Sequence, residues 1–542
     1  MAPWEKWLTV ALLITIVGSL SWSGLVFYRS HTRQIPSHGG ILNQGVVGQP
    51  RTINPVLATT PADLLLTRAV FSGLYTYNNQ GQPISDLATD LPTISNDGRT
   101  YTVTLKPNLT WHDGKPVTSS DVVFTITKIQ DPAINSPLRG LWLSTTVQAI
   151  NDQTIIFTTK EESGPFLHNL TVGLLPEHIW HGVAAENFTT TGLNLTPLGN
   201  GPYAVRQVEN TPSKRVSKIL LDSFANFPRP PFLDGVTVTF YESQDEVNKA
   251  FSGQEINALG VSLTDNLPDT PSNLQTNTRM SVPQYQAVFL NTKKSTLAIP
   301  QVREALLLSL SSADITQAAW PNHATAIGGV PLGENDFTNT QPTTPDIAKA
   351  DELLTTAGWK KTISGIRTKG KTELAINLVT PNTPAFTTAA GLIQTAWTNL
   401  GVKVTVIPAE TNELISTYVR PRNFDALLFS EKSNADADPF AFWHSSQVKD
   451  PGLNVSGLAV PQVDKLITDA RTNTDETTRK ALYEQLTELL STQHAALYLN
   501  QSLYIYVTDP RFHGIQVERI PDPSWILALS PSWYTKLTRT WK

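Results

Sequence analysis

One long run of apolar positions without any charge stands near the N-terminus, from Leu8 to Phe27. About 20 such residues are enough to cross a bilayer as a helix. Trp7 and Tyr28 flank the run as interfacial aromatic residues do. The run is longer than the apolar core of a signal peptide, which has about 7–15 residues. The pattern therefore predicts an uncleaved transmembrane anchor over residues 7–28, in preference to a cleaved signal peptide.

Basic residues stand on both sides of this run, so they do not settle its orientation. Lys6 precedes it beside Glu5, whereas Arg29 and Arg33 follow it. Basic residues are normally enriched on the cytoplasmic side, and the positive-inside rule therefore does not favour an anchor with its N-terminus inside. We expect residues 29–38 to form a linker to the rest of the chain.

After about Gly39 no second apolar run of comparable length and hydrophobicity follows. Short segments whose apolar residues have the spacing of a strand alternate there with segments whose apolar residues have the spacing of a helix. Alternation of apolar and polar residues predicts half-buried strands, and apolar residues three and four apart predict helices. For the first half of the chain we expect strands over Ile41–Val47, Tyr101–Leu105, Gln153–Thr159 and Asp234–Tyr241, and helices over Ala62–Leu74 and Asp121–Ile129.

The second half has a strand–helix–strand pattern, with a strand over Leu374–Val379, a helix over Phe386–Leu400 and a strand over Val402–Ile407. Such a unit calls for a parallel sheet with a right-handed crossover. We also expect a helix over Asp346–Ala357, an apolar strand over Phe424–Phe429 and mostly helix over Val463–Leu490. Both halves are therefore predicted to be α/β, with additional β-rich material in the first.

Length and composition narrow the classes of protein that fit. The chain has 542 residues, whereas single cores rarely grow beyond roughly 250–300 residues, so two or more lobes are expected. A hydrophobic share of 40% excludes a disordered chain, and a net charge of −5 excludes a broad electrostatic surface for nucleic acid. The absence of Cys excludes disulfides, thiolate metal sites and a lipid-modified cysteine as a membrane anchor.

Two sequence motifs match the residue pattern of a functional site but lack the neighbouring elements or further ligands that such a site needs. Gly365–Thr372 fits the phosphate-binding loop pattern, but that loop needs a strand before it and a helix after it, and here the order is reversed. His178 and His181 would share one face of a helix, but a metal site needs further ligands. We interpret the first as a chance match and the two histidines as structural or surface residues.

The segment Asn434–Trp443 has two open interpretations. Asp436 and Asp438 follow the apolar strand Phe424–Phe429 and precede three aromatic residues. Ligands of open α/β sheets bind beyond the carboxyl ends of strands, where a carboxylate can hold a cation and aromatic side chains can line a pocket. The alternative is an Asp-Pro turn followed by ordinary core aromatics.

Several phrases, taken in order from about Gly39 to the C-terminus, resemble the extracytoplasmic solute-binding proteins of family 5, the dipeptide and oligopeptide receptors of ABC importers. The family's lipoprotein cysteine is missing, and the apolar run Leu8–Phe27 looks like its substitute. The phrases that carry the resemblance are Asp97–Leu105, Trp111–Val117, Asp121–Phe124, Leu198–Tyr203, Gln301–Leu306, Ala348–Trp359, Phe424–Ala426 with Asp438–Pro439, and Asn454–Gly457 with Val463–Asp464.

The resemblance implies an α/β, type II periplasmic-binding-protein fold with two hinged lobes and an extra subdomain in the first lobe. We expect the hinge near Ala287–Asn291 and Leu497–Asn500. The implied division is lobe I over 39–80, 196–283 and a C-terminal return at 501–542, the extra subdomain over 81–195, and lobe II over 284–500.

The resemblance also implies a function, that of a membrane-anchored receptor outside the cytoplasm. It would capture short peptides in the cleft between the lobes and deliver them to an ABC permease, as a monomer that is not an enzyme and uses no cofactor, metal or nucleic acid. Other solutes remain alternatives, namely a nickel chelate, an oligosaccharide or a signalling peptide. A nucleotide hydrolase using Gly365–Thr372 is a disfavoured alternative, and a chaperone-like scaffold is another.

In peptide-binding members of the family an Asp of the second lobe holds the α-ammonium of the ligand. The matching region is Asn434–Asp438, in which we favour Asp438 and place Asp436 second. Trp443 and Phe442 are the candidate pocket walls.

Overall fold

The computed structural model describes residues 2–263, 265–332, 341–433 and 438–541. Within these ranges the helices are α1 (Pro3–His31), α2 (Pro61–Val70), α3 (Ser119–Gln130), α4 (Arg139–Trp142), α5 (Phe166–Asn169), α6 (Glu177–Trp180), α7 (Gln244–Ser252), α8 (Pro300–Leu308), α9 (Ser312–Ala319), α10 (Ile347–Thr356), α11 (Pro384–Asn399), α12 (Thr411–Glu413), α13 (Phe440–Trp443), α14 (Pro461–Thr472) and α15 (Glu476–Gln493).

The strands of the same ranges are β1 (Thr32–Ser37), β2 (Ile41–Val47), β3 (Tyr75–Tyr77), β4 (Pro83–Ser85), β5 (Thr93–Ile94), β6 (Thr100–Thr104), β7 (Thr145–Asn151), β8 (Thr154–Thr159), β9 (Tyr203–Asn210), β10 (Val216–Ser223), β11 (Gly235–Tyr241), β12 (Ala258–Val261), β13 (Thr276–Leu290), β14 (Ala324–Ala326), β15 (Lys360–Lys361), β16 (Arg367–Lys369), β17 (Thr372–Glu373), β18 (Ala375–Pro381), β19 (Lys403–Ala409), β20 (Ala426–Lys432), β21 (Ala496–Thr508) and β22 (Lys536–Trp541).

The largest sheet runs through both lobes in the order β19-β18-β20-β13-β21-β12-β2-β11-β10-β9. Its two long antiparallel strands, β13 and β21, connect the lobes. Ala287 pairs with Tyr498 and Val288 with Leu497, so the two segments predicted as the hinge are neighbouring strands. Buried Gln286 ties them to β20, because its Nε2 donates to the hydroxyls of Ser430 (3.1 Å) and Ser502 (3.2 Å).

The first lobe packs its largest hydrophobic core between the β2–β11–β10–β9 end of this sheet and a separate antiparallel sheet of order β5-β6-β8-β7. Helix α3 lies against that second sheet, and its side chains Val122, Ile126 and Ile129 are buried. The second sheet falls inside residues 81–195, whose limits as an extra subdomain stay a prediction.

The second lobe contains the predicted strand–helix–strand unit. Strands β18 and β19 pair in parallel and α11 connects them, with Ile393 and Trp397 buried on the inner face of the helix. The region predicted as mostly helical divides into α14 and α15. Asp475 is the N-cap of α15, because its Oδ1 accepts hydrogen bonds from the backbone N–H (2.8 Å) and hydroxyl (2.6 Å) of Thr478.

The segment Gly365–Thr372 forms the turns and edges of a small antiparallel sheet, β15-β16-β17, and continues into strand β18. No helix follows it, so the context of a phosphate-binding loop is absent from this segment. His178 lies on the short helix α6, and its Nε2 is 2.9 Å from Asp113 Oδ2.

The segment Trp7–His31 of the N-terminal helix α1 is exposed, and it is long and apolar enough to cross a membrane. A signal sequence would satisfy the same two criteria. The segment 29–38, predicted as a linker, contains the end of α1 and strand β1, which pairs with the C-terminal strand β22. The C-terminal strand therefore lies beside the C-terminal end of the apolar helix.

Candidate ligand-binding site

Asp438 is held by its own local turn and by a neighbouring helix. Its Oδ1 accepts a hydrogen bond from the backbone N–H of Phe440 (3.0 Å), at the start of α13. Its Oδ2 lies 2.9 Å from Nε of Arg471, on α14, and the Asp438 side chain is 16% exposed. The carboxylate is thus fixed in position and still reached by solvent.

Arg471 connects this carboxylate to the other lobe. Its guanidinium lies 4.3 Å from the centre of the Phe440 ring, and its carbonyl accepts a hydrogen bond from the backbone N–H of Gly164 (2.9 Å). Gly164 belongs to the loop between β8 and α5 of the first lobe, so the two lobes touch at this point. A Cβ on Gly164 would lie 2.9 Å from the carbonyl oxygen of Asn473, which is closer than side chains approach.

A groove of about 440 Å³ lies beside this contact and has walls from both lobes. The first lobe contributes Phe166, Asn169 and residues 159–163, and the second contributes Phe440 and Arg471. Phe440 and Arg471, which contact the Asp438 carboxylate, therefore both line the groove. Its position between two lobes and its mixture of apolar and charged walls are typical of small-ligand sites.

The other residues predicted for the site lie elsewhere or outside the described ranges. Trp443 is only 2% exposed and packs in the second-lobe core with Leu427 and Tyr498, and Phe442 packs against the same cluster. Neither residue lines the groove. Asn434 and Asp436 lie outside the described residues.

A buried acid that the sequence reasoning missed lies where the lobes join. Glu431, on β20, is 8% exposed and stands opposite Tyr285 of β13. Its Oε2 accepts a hydrogen bond of 2.6 Å from the hydroxyl of Tyr498, on β21. Burial raises the pKa of Glu431 from 4.5 to about 7, although the bond from Tyr498 acts in the opposite direction. Glu431 therefore joins the second lobe to a strand that connects the two lobes.

A sequence signal for Glu431 was present. Successive side chains of a strand alternate between its faces, so Leu427, Phe429 and Glu431 share one face, and the apolar members of that face belong to the core. Because Glu431 continues the apolar face of this strand, the alternation predicts that its side chain is buried. For Arg471 no comparable signal exists, because its partner lies on another element.

Comparisons with known proteins agree with this architecture. Residues 82–452 match the family model "Bacterial extracellular solute-binding proteins, family 5 Middle". The chain is 25% identical over 484 residues to the oligopeptide-binding protein AppA of Bacillus subtilis, and the match covers 86% of each chain.

Solved structures give the same result for the fold. The ABC transporter substrate-binding protein CtaP of Listeria monocytogenes superposes with a TM-score of 0.77 at 25% identity, over 92% of this chain and 100% of that one. NikZ of Campylobacter jejuni, in complex with Ni(L-His), gives 0.68 at 23% identity, over 91% and 99%. These matches confirm the predicted two-lobed α/β fold.

Proposed function

Because this chain belongs to the bacterial extracellular solute-binding proteins of family 5, we propose that it captures short peptides between its lobes and delivers them to the permease of an ABC importer. Members of this family are solute receptors. The assignment of peptides is supported by the Asp438 carboxylate, which is bound by the groove residues Phe440 and Arg471, and by the similarity to an oligopeptide-binding protein.

The proposed role of Asp438 is to hold the α-ammonium group of the peptide. A buried cation needs such a partner, since an unpaired buried charge costs several kcal/mol. A carboxylate offers about four acceptor positions, so the Asp438 carboxylate can hold Arg471 and a ligand ammonium together. The apolar ring of Phe440, beneath the Arg471 guanidinium, would limit hydration of the paired charges.

Closure of the lobes over the peptide is the proposed mechanism. A ligand shifts a hinge equilibrium only by its preference for the closed state. The hydrogen bond between Gly164 and Arg471 forms only when the lobes are together, so a ligand held by Asp438 and this inter-lobe contact would favour the same state. The closed receptor would then dock on the permease.

We expect Asp438→Asn to weaken binding of the peptide tetra-alanine about 10- to 100-fold, since a hydrogen bond to a charged group contributes about 1.5–3 kcal/mol. Isothermal titration calorimetry on the full chain measures this change. The free energy of unfolding of the empty receptor should change by less than about 1 kcal/mol, because the ion pair with Arg471 is partly exposed.

Two controls make this test specific. N-acetyl-tetra-alanine has no ammonium group, so its affinity should be equally weak for the Asp438→Asn variant and the unmodified chain. Asp469→Asn, which changes a carboxylate that pairs with Lys465 on the same helix as Arg471, should leave tetra-alanine binding unchanged. Equal affinity of Asp438→Asn and the unmodified chain for tetra-alanine would assign the ammonium to another anchor.

The inter-lobe contact gives a second expected result. In Gly164→Ala the added Cβ meets the backbone of Asn473, so the closed state is strained and the affinity for tetra-alanine should fall about tenfold or more, in proportion to the closed fraction. Small-angle scattering should show that the variant stays more extended in the presence of peptide.

The matched control for this substitution is Gly140→Ala, on α4, because a Cβ at Gly140 meets nothing within 4 Å. It should bind tetra-alanine like the unmodified chain. If Gly164→Ala does so as well, the contact at Gly164 is not part of closure.

Native mass spectrometry of receptor purified without added ligand identifies the solute class. We expect a mixture of short peptides. A single nickel chelate, comparable to the Ni(L-His) bound by NikZ, would replace the peptide proposal with the metal alternative while leaving the receptor function in place.

Helix α1 is proposed to anchor the receptor with its soluble part outside the cytoplasm, where a permease draws its solute. Besides its length and apolarity, the packing of its last turn supports this. The Tyr28 ring contacts Trp541 of the C-terminal strand edge to face, at 5.9 Å between ring centres. The end of α1 is therefore integrated into the fold.

A further inference from the structure

A short two-stranded ribbon leads from the body of the protein to the end of α1. It consists of β1 and β22, which pair from Thr32 with Trp541 to Ser37 with Lys536. Six residues of strand span about 20 Å. At the body end, the hydroxyl of Thr535 donates to the carbonyl of Gly39 (3.0 Å), which fastens the ribbon to the first lobe.

Arg539 fastens the other end of the ribbon to the helix. Its Nη1 donates to Thr32 Oγ1 (2.9 Å), and its guanidinium lies 5.9 Å from the centre of the Tyr28 ring. Trp541 packs against the same tyrosine and is still 61% exposed. The tip of the ribbon thus presents aromatic rings at the level where the apolar helix ends.

The charge of the ribbon differs from that of the whole protein. The segments 29–37 and 536–541 contain Arg29, Arg33, Lys536 and Arg539 and no Asp or Glu, whereas the whole chain has a net charge of −5. Basic residues after an anchor that exports its C-terminal part run against the positive-inside rule. A binding role for these residues outside the membrane accounts for their presence there.

We propose that this ribbon binds the anionic phospholipid headgroups of the membrane that α1 crosses. Exposed aromatic rings favour the interface between headgroups and acyl chains, and clustered Lys and Arg are attracted to anionic lipid within a Debye length of the surface. The aromatic rings, Arg29, Arg33 and Arg539 stand at the end of α1, whose entry into the bilayer brings them to the headgroups, whereas Lys536 lies at the body end of the ribbon. The inference rests on the proposed anchoring of α1.

The absence of Cys from the chain allows a clean test. Thr538→Cys, at an exposed position of β22, is labelled with an environment-sensitive nitrobenzoxadiazole probe in the full chain. The protein is reconstituted into nanodiscs of phosphatidylcholine alone or of equimolar phosphatidylcholine and phosphatidylglycerol, each with some nitroxide-headgroup lipid. We expect stronger quenching and a blue-shifted emission in the anionic discs, both reduced by high salt.

The control variants separate charge at the ribbon from charge elsewhere. Arg29→Gln with Arg33→Gln, at exposed positions beside the end of α1, should abolish the difference between the two disc types, whereas Lys449→Gln with Lys480→Gln, at exposed positions of the second lobe, should preserve it. Equal quenching in both discs by the unmodified ribbon overturns lipid binding and leaves the anchor intact. Failure of the full chain to enter discs overturns the anchor and the ribbon proposal together, without bearing on peptide capture.

Discussion

Replacement of Arg367 by methionine is expected to lower the free energy of unfolding of the second lobe by about 3–5 kcal/mol. The Arg367 side chain is 1% exposed and its Nε donates to the carbonyl of Leu400 (2.7 Å). Its Nη1 donates to the carbonyl of Trp359 (2.6 Å), and its Nη2 pairs with Asp351. Methionine fills much of the volume but leaves these buried carbonyls without donors.

Urea unfolding of the full chain in detergent measures this loss, and hydrogen exchange locates it in β18, β19 and α11. The matched control is Lys371→Ala, an exposed position of the same segment, which should change stability by no more than about 0.5 kcal/mol. Unchanged stability of Arg367→Met would show that solvent or a neighbouring group replaces its hydrogen bonds.

The same pair of variants tests the nucleotide alternative. If Gly365–Thr372 bound phosphates, Lys371→Ala would abolish ATP binding measured by calorimetry. We expect no ATP binding by either the unmodified chain or the variant, because no helix N-terminus follows this segment. Binding that depends on Lys371 would revive the nucleotide alternative.

Elements whose apolar pattern is local could be predicted from the sequence. Strand β2 has the predicted bounds, and β18, α11 and β19 begin and end within three residues of the predicted ones. The pairing of distant segments could not be predicted. The lengths of β13 and β21 and the ribbon of β1 with β22 depend on partners more than 200 residues apart, and a polar strand such as β22 has no periodic apolar face.

The same distinction applies to the candidate site. Asp438 could be selected from its place after an apolar strand and before Pro439. Its contact with Arg471 and the approach of Gly164 join segments of different lobes, which no local pattern encodes. A local pattern also does not separate the aromatic residues of this segment, of which Trp443 belongs to the core and Phe440 lines the groove.

The buried acid at the junction of the lobes should make stability depend on pH. The pKa of Glu431 is raised by burial from 4.5 to about 7, so the folded state binds the proton more tightly than the unfolded state. Its stabilising contribution is complete below pH 4.5 and is lost as the pH rises through 7. A shift of this size corresponds to about 3 kcal/mol, at 1.36 kcal/mol for each pKa unit.

Glu431→Gln should therefore be more stable than the unmodified chain by up to about 3 kcal/mol at pH 8 and nearly equal to it at pH 4.5. The amide oxygen of glutamine can still accept the hydrogen bond from Tyr498. Tyr285 faces the same position from β13 and has a pKa raised by burial, so neither tyrosine adds a competing titration in this range.

Urea unfolding at a series of pH values measures the difference between the two proteins, in which the other titrating groups cancel. Glu484→Gln, at an exposed position of α15, should follow the unmodified chain at every pH. A constant difference between Glu431→Gln and the unmodified chain across this range would mean that Glu431 is ionised in the folded protein and paired with a cation.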